Sequence, residues 1–247
     1  MNIKTFQSAT LMGEAAGNMA ALKIESVIND YGEANIILAT GASQFHTLKT
    51  LVNYDIIDWK KVTVFHLDEY IGIDDAHPAS FVLYLKQRFL ERVGNVKDFH
   101  FINGVAEDPA EESNRLNKII GDLDIHVALV GIGENGHLAF NDPPADFDIK
   151  DPYIIASLDE KCRMQQVGEG WFKGLEEVPE QAISMSVHQI MKSKSIICSV
   201  PDARKAEAVR DCALGEVSNM HPASILQKHG DCTLFLDEHS AKLLNEE

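Results

Sequence analysis

Between residues 131 and 144 the chain reads GIGENGHLAFNDPP, a segment dense in groups that move protons. Asn135, His137 and Asp142 fall within eight residues, among glycines at 131, 133 and 136 that permit backbone turns a side chain would block. A histidine whose second ring nitrogen meets a carboxylate is held in one tautomer and stays basic enough to trade protons near neutrality. Upstream, FHLDEYIG at 65–72 sets Asp68 and Glu69 directly after an apolar run. A carboxylate in a partly desolvated pocket has a raised pKa and can take a proton from a carbon next to a carbonyl. Read locally, the same acidic pair equally suits a solvated cap on the next helix. The third segment is ATGAS at 39–43. In it Thr40, Gly41, Ala42 and Ser43 form a small-residue turn whose N–H groups and hydroxyls suit an anion, with Ser43 as a plain N-cap the competing reading.

Other chemistries lack their residues. The GxGxxG spacing at 131–136 is not a dinucleotide fingerprint. His137 follows the third glycine where a helix should begin, Pro143-Pro144 closes the segment, and no acidic strand end follows about 20 residues on. There is no GK[ST] after the TGAS turn, no GxSxG and no HExxH, so the common nucleotide-binding and hydrolase readings fall away. His77 and His221 precede proline and frame helix starts, and His126 reads as a satisfied residue of a buried strand. His46, His100, His188, His229 and His239 have no partner at metal spacing, and no metal site is assigned. The cysteines at 162, 198, 212 and 232 lack CxxC spacing and read as reduced, structural thiols.

These segments need a scaffold that brings them together. Asn35–Ala39, Val62–His66, Ile125–Ile132, Ala182–Val187, Ser195–Val200 and Cys232–Leu236 are apolar runs that read as buried strands. Helical stretches fall at 7–30, about 43–52, 78–92, 202–214 and 238–245. Strands alternating with helices predict an α/β fold, a three-layer sandwich whose mostly parallel sheet is covered on both faces. Ligands bind such folds beyond the carboxyl ends of the strands. TGAS, LDEY and GIGENGH each follow an apolar run, so the topology wants a site where all three stand.

The chain has 247 residues, 45% apolar and 24% charged, with no repeat, linker or low-complexity tract, and a single domain is expected. A formal net charge of −16 argues against nucleic-acid and anionic-membrane partners. It also means that an anionic ligand would need a local group of donors. The N-terminus lacks the apolar stretch of a signal peptide and no window approaches the ~18 apolar residues of a membrane span. A cytoplasmic location is therefore expected. Oligomeric state stays open, a homo-oligomer included.

Taken in order, TGAS (40–43), LDEYIG (67–72), HPAS (77–80), GIGENGHLAFNDPP (131–144), RKAEAV (204–209) and HPASIL (221–226) resemble one family. It is that of the glucosamine-6-phosphate deaminases and their relatives the 6-phosphogluconolactonases, and the resemblance spans nearly the whole chain. GHLAFND and LDEY resemble the deaminase branch, since lactonases typically read GHTASLFP around the same histidine. The resemblance implies a Rossmann-like sandwich, a small sugar phosphate as partner, and no metal or organic cofactor. It implies that Asp68 shuttles the proton between C2 and C1 and that His137, oriented by Asp142 and Asn135, assists ring opening. The TGAS loop and Lys205 would hold the phosphate.

The pattern also departs from the family. Position 142 carries Asp where deaminases usually carry Glu, one methylene longer. At 158–172 deaminases typically end on an SRFF-like stretch whose arginine binds phosphate from a mobile lid. Here the matching place reads GEGWF, with Glu169 at or near the arginine's position. Either Arg163 takes over that contact as a phosphate ligand or the substrate differs, and Gly168 and Gly170 suit a hinge. The resemblance leaves open a galactosamine phosphate or other amino sugar phosphate, a lactone, or a binding role without turnover.

Overall fold

The computed structural model describes residues 1–244. Its strands are β1 (Asn2–Phe6), β2 (Ala34–Leu38), β3 (Val62–His66), β4 (Asp68–Tyr70), β5 (Asp98–His100), β6 (Val127–Val130), β7 (Tyr153–Ser157), β8 (Gln181–Met185), β9 (Ser195–Val200) and β10 (Cys232–Asp237). Its helices are α1 (Ala9–Tyr31), α2 (Phe45–Leu51), α3 (Phe81–Leu85), α4 (Glu91–Val93), α5 (Pro109–Ile120), α6 (Glu160–Gly168), α7 (Val187–Met191) and α8 (Ala206–Leu214). A π-turn at Lys86–Leu90 joins α3 to α4 into one helical stretch.

Seven strands form one parallel sheet in the order β1-β10-β9-β6-β2-β3-β5. Strands β2, β3, β6, β9 and β10 are buried along their whole length, as expected of a sheet covered on both faces. Alternate residues feed opposite sides. Ile37, Phe65, Ala128, Cys198 and Leu234 pack with Leu116 and Ile120 of α5 and Val209 of α8. Ile36, Val64, Leu129, Ile197 and Phe235 pack on the other side with Met12, Ala16, Ala20 and Ile24 of α1 and Leu48 and Leu51 of α2. Each such aliphatic side chain, fully buried, contributes roughly 1.5–3 kcal/mol. Helix α1 starts at Ser8, whose Oγ accepts the Leu11 N–H at 3.2 Å, and ends at Gly32.

The run expected as a strand at 182–187 is β8, but it does not join the main sheet. It pairs antiparallel with β4 and β7 in a separate three-stranded sheet, and Val187 already starts α7. This small sheet carries its own aromatic core of Tyr70, Phe81, Phe140 and Phe172. The stretch at 238–243 is not the helix expected there but turns, with Asp237 Oδ1 accepting the Ser240 N–H at 2.8 Å; residue 245 lies outside the described residues. Strands β1, β4, β5 and β7 had no counterpart in the sequence reading. Among the described residues no helix is long and apolar enough to cross a membrane.

Candidate active site

The carboxyl ends of β2, β3, β6, β9 and β10 open into one cavity of about 560 Å³. Thr40, Gly41, Ala42 and Ser43 line it, as do Asp68, His137 and Lys205. The three segments singled out by residue type thus converge, together with the segment after β9.

The loop after β2 turns at Gly41, whose φ of +87° is a conformation only glycine takes without strain. Tyr84 pins that turn, its hydroxyl donating to the Gly41 carbonyl at 3.0 Å. Ser43 is not an N-cap: it lies inside a short 3-10 turn, and its Oγ accepts from Gln44 Nε2 at 3.1 Å.

Asp68 and Glu69 part company because successive residues of β4 face opposite ways. Glu69 turns away from the cavity and accepts from Ser80 Oγ at 2.7 Å, Val82 N at 2.9 Å and Tyr70 N at 2.9 Å, which anchors the start of α3. Asp68 faces the cavity and is buried. Burial, reinforced by the Glu69 charge, pushes its carboxyl up to about 8. A carboxyl so poised can hold or release a proton near neutrality.

His137 sits on the cavity wall with Nδ1 3.1 Å from Asp142 Oδ1. That separation keeps the ring and the carboxylate in contact. Asp142 is fixed from three sides. Asn135 Nδ2 donates to its Oδ1 at 3.0 Å, the Asp159 N–H donates to its Oδ2 at 3.0 Å, and His137 closes the set. Burial works against the Asp142 charge, but these contacts outweigh it and hold the carboxyl below its ordinary value. The shorter Asp thus reaches the histidine. Asn135 also accepts the His137 N–H at 3.1 Å, so it orients both partners. Gly133 is required here: a Cβ on it would lie 2.3 Å from the His137 ring.

Cys162 Sγ approaches this pair, and His137 Nδ1, an Asp142 oxygen and the sulfur lie within 4.8 Å of one another, the one such grouping among the described residues. Burial pushes the Cys162 thiol up, and the Asp142 oxygens are already engaged by Asn135 and the Asp159 N–H. The grouping works as an orienting network rather than as a set of free metal ligands.

Lys205 also lines the cavity and is buried, and burial lowers its pKa against the opposing charges of Glu169 and Glu134. Arg204 also lines the cavity; Asp202 holds its guanidinium at 2.9 Å, and Glu134 lies 3.6 Å from it. Asp202 itself has φ +88°, a strained conformation for a non-glycine residue and of the kind that gathers at functional sites.

Arg163 is a correction. Its guanidinium donates to the Leu175 and Val178 carbonyls, both at 2.8 Å, and it does not line this cavity. It follows the helical spacing of α6 onto the face that holds the next turn, whereas Glu169, at the end of α6, points inward. Three contributors escaped the sequence reading. Arg204 stands beside Lys205, and the adjacent basic pair after an apolar run was its signal. Asp159 caps α6 and receives Asn135, and Gln165 joins the Glu134 N–H at 2.9 Å; neither carries a signal readable without the fold.

A sequence profile of the glucosamine-6-phosphate isomerases/6-phosphogluconolactonase family matches residues 7–235. The chain belongs to that family. A glucosamine-6-phosphate deaminase of Exiguobacterium sibiricum is 38% identical over 226 residues, covering 92% of this chain and 87% of that protein. One from Lacticaseibacillus paracasei is 33% identical and covers both chains in full. Among solved structures, a monomeric glucosamine-6-phosphate deaminase superposes with a TM-score of 0.89 at 29% identity, covering 98% of this chain and 100% of that one. A 6-phosphogluconolactonase of Shewanella baltica superposes with a TM-score of 0.79 at 15% identity, covering 96% of this chain and 97% of that one, a likeness of fold alone. The α/β sandwich expected from the sequence is thus the family's fold, and both relatives named above at more than 30% identity are glucosamine-6-phosphate deaminases.

Proposed function

We propose that this chain is a glucosamine-6-phosphate deaminase, converting glucosamine 6-phosphate and water to fructose 6-phosphate and ammonia. The observation that carries the reading is the meeting in one cavity of Asp68, the His137–Asp142 pair and Lys205. In this scheme His137, held by Asp142 and Asn135, relays the proton that opens the sugar ring to the free aldehyde. Asp68, as the carboxylate, takes the proton from C2 while O1 gains one from the 2-ammonium group, which leaves a neutral enolamine. Asp68 returns its proton to C1, which makes an iminium at C2. Water adds to C2 and the nitrogen leaves as ammonium, so atoms and charge balance. Lys205 and the Thr40–Ser43 loop hold the phosphate. Proton transfer and hydrolysis of this kind need no metal or organic cofactor.

The sugar phosphate is the partner, and the single domain carries a lid formed by 158–172. The same reading puts the enzyme in the cytoplasm, with which the four free, buried cysteines agree. Ammonia release is measured with purified protein, glucosamine 6-phosphate and its galacto epimer in parallel. Release from the gluco sugar, lost in His137→Ala, is the expected result. Release only from the galacto sugar would move the substrate, and silence with both would overturn the deaminase reading and favour the lactone.

A further inference from the structure

Glu169 is a carboxylate that the cavity does not need for proton transfer, yet its side chain is only 9% exposed and it lines the cavity wall. Two local bonds aim it inward: Gln165 Nε2 donates to Oε1 at 2.8 Å, and Trp171 Nε1 donates to Oε2 at 3.3 Å. Its Oε1 lies 3.9 Å from Lys205 Nζ. Its Oε2 hangs over the Gly41 turn, 3.9 Å from where a Cβ on that glycine would stand. The carboxylate therefore occupies the space between the small-residue loop and the buried lysine, where an anion would sit. Arg204 does not relieve this, because Asp202 and Glu134 already face it. Among the described residues that line the cavity, Lys205 is the cation left to meet a ligand, and Glu169 is its counter-ion.

We propose that Glu169 is a resident competitor of the phosphate at the Lys205 subsite and sets how tightly this chain holds the anionic end of its substrate. The claim deepens the function proposed above and rests on Lys205 as the phosphate ligand. A phosphate that reaches Lys205 with Glu169 in place meets like charge within a few ångströms in a poorly solvated wall. Binding therefore requires Glu169 to withdraw. Its two anchoring bonds run to Gln165 and Trp171 in its own segment, so the end of α6 withdraws with it. Gly170, with φ +84°, follows directly and supplies the turn. The residue thus lowers affinity for any phosphorylated ligand below what Lys205 and the Thr40–Ser43 loop would otherwise give.

The test is calorimetric titration of inorganic phosphate into the wild type, Glu169→Gln, Glu169→Ala and the double variant Glu169→Gln with Lys205→Ala. Glu169→Gln keeps the shape and the Gln165 contact, and Glu169→Ala stands in should that variant fail to fold. The expected result is a Kd lowered about tenfold or more in both single variants, with the gain lost in the double variant. An unchanged or raised Kd in a folded single variant would overturn the proposal and make Glu169 a holder of sugar hydroxyls. Ammonia release by the wild type is read alongside. No release together with tighter phosphate in the variants would sink the substrate and leave Glu169 as assigned. Release together with unchanged phosphate affinity would do the reverse.

Discussion

Asp68→Asn should make the protein more stable, and more so as the pH rises. In the native state burial and the Glu69 charge raise the Asp68 carboxyl from an ordinary 3.8 to about 8. Below about pH 4 the group is protonated in both folded and unfolded chains and has no effect on the balance. Between about 4 and 8 the native state holds a proton that the unfolded chain has released, so stability falls with pH, and above about 8 the penalty is complete. Four units at about 1.4 kcal/mol each set an upper limit of about 6 kcal/mol. Relaxation and water entry reduce such penalties, and roughly 2–4 kcal/mol is the working figure. Asn has the same shape and no charge to bury. Thermal melts of wild type and variant from pH 4 to pH 9 cancel the other titrating groups. The expected Tm difference is near zero at pH 4 and roughly 4–16 °C at pH 9, using about 2–4 °C per kcal/mol for a chain of this size. A difference that is flat with pH, or that shrinks as pH rises, would refute the claim that Asp68 is held neutral by its surroundings.

Asp68 as the base also sets a rate profile. The kcat/KM for glucosamine 6-phosphate should rise with pH along a limb centred near 8, because only the carboxylate accepts the C2 proton; a flat profile from 6 to 9 would remove it from that role. Gly133→Ala puts a Cβ 2.3 Å from the His137 ring, which must swing away from Asp142, and kcat should fall about a hundredfold while the affinity for phosphate holds. Lys205→Ala should raise KM about tenfold or more. Arg163→Ala should leave KM unchanged but lower stability by about 1–3 kcal/mol through its two lost carbonyl contacts, measured by urea melts.

The central strands were legible because β2, β3, β6, β9 and β10 are buried on both faces and so read as unbroken apolar runs. The edges were not. β1 and β5 are half-exposed, short and mixed in character, and β4 is three polar residues whose strand character comes from pairing with β8. The placement of β8 could not be read either, since an apolar run does not announce which sheet it joins. At the site, segments that follow strands were found from residue type and topology alone. Residues carried on α6 were not: whether Arg163 or Glu169 faces the cavity depends on where Asp159 starts the helix, because their six-residue spacing puts them on different faces of it. The Asp142 contact shows the same limit. Whether a carboxylate one methylene shorter can reach His137 depends on the Asn135 and Asp159 contacts that fix it, and the Asp159 contact exists only once the start of α6 folds back onto the 135–142 loop.

The most direct measurement is solvent deuterium exchange at C2 of glucosamine 6-phosphate, followed by NMR in wild type and Asp68→Asn. The account predicts exchange in the wild type and none in the variant, with the sugar phosphate still bound. Exchange retained in Asp68→Asn would contradict it, and the base would have to be sought elsewhere in the cavity.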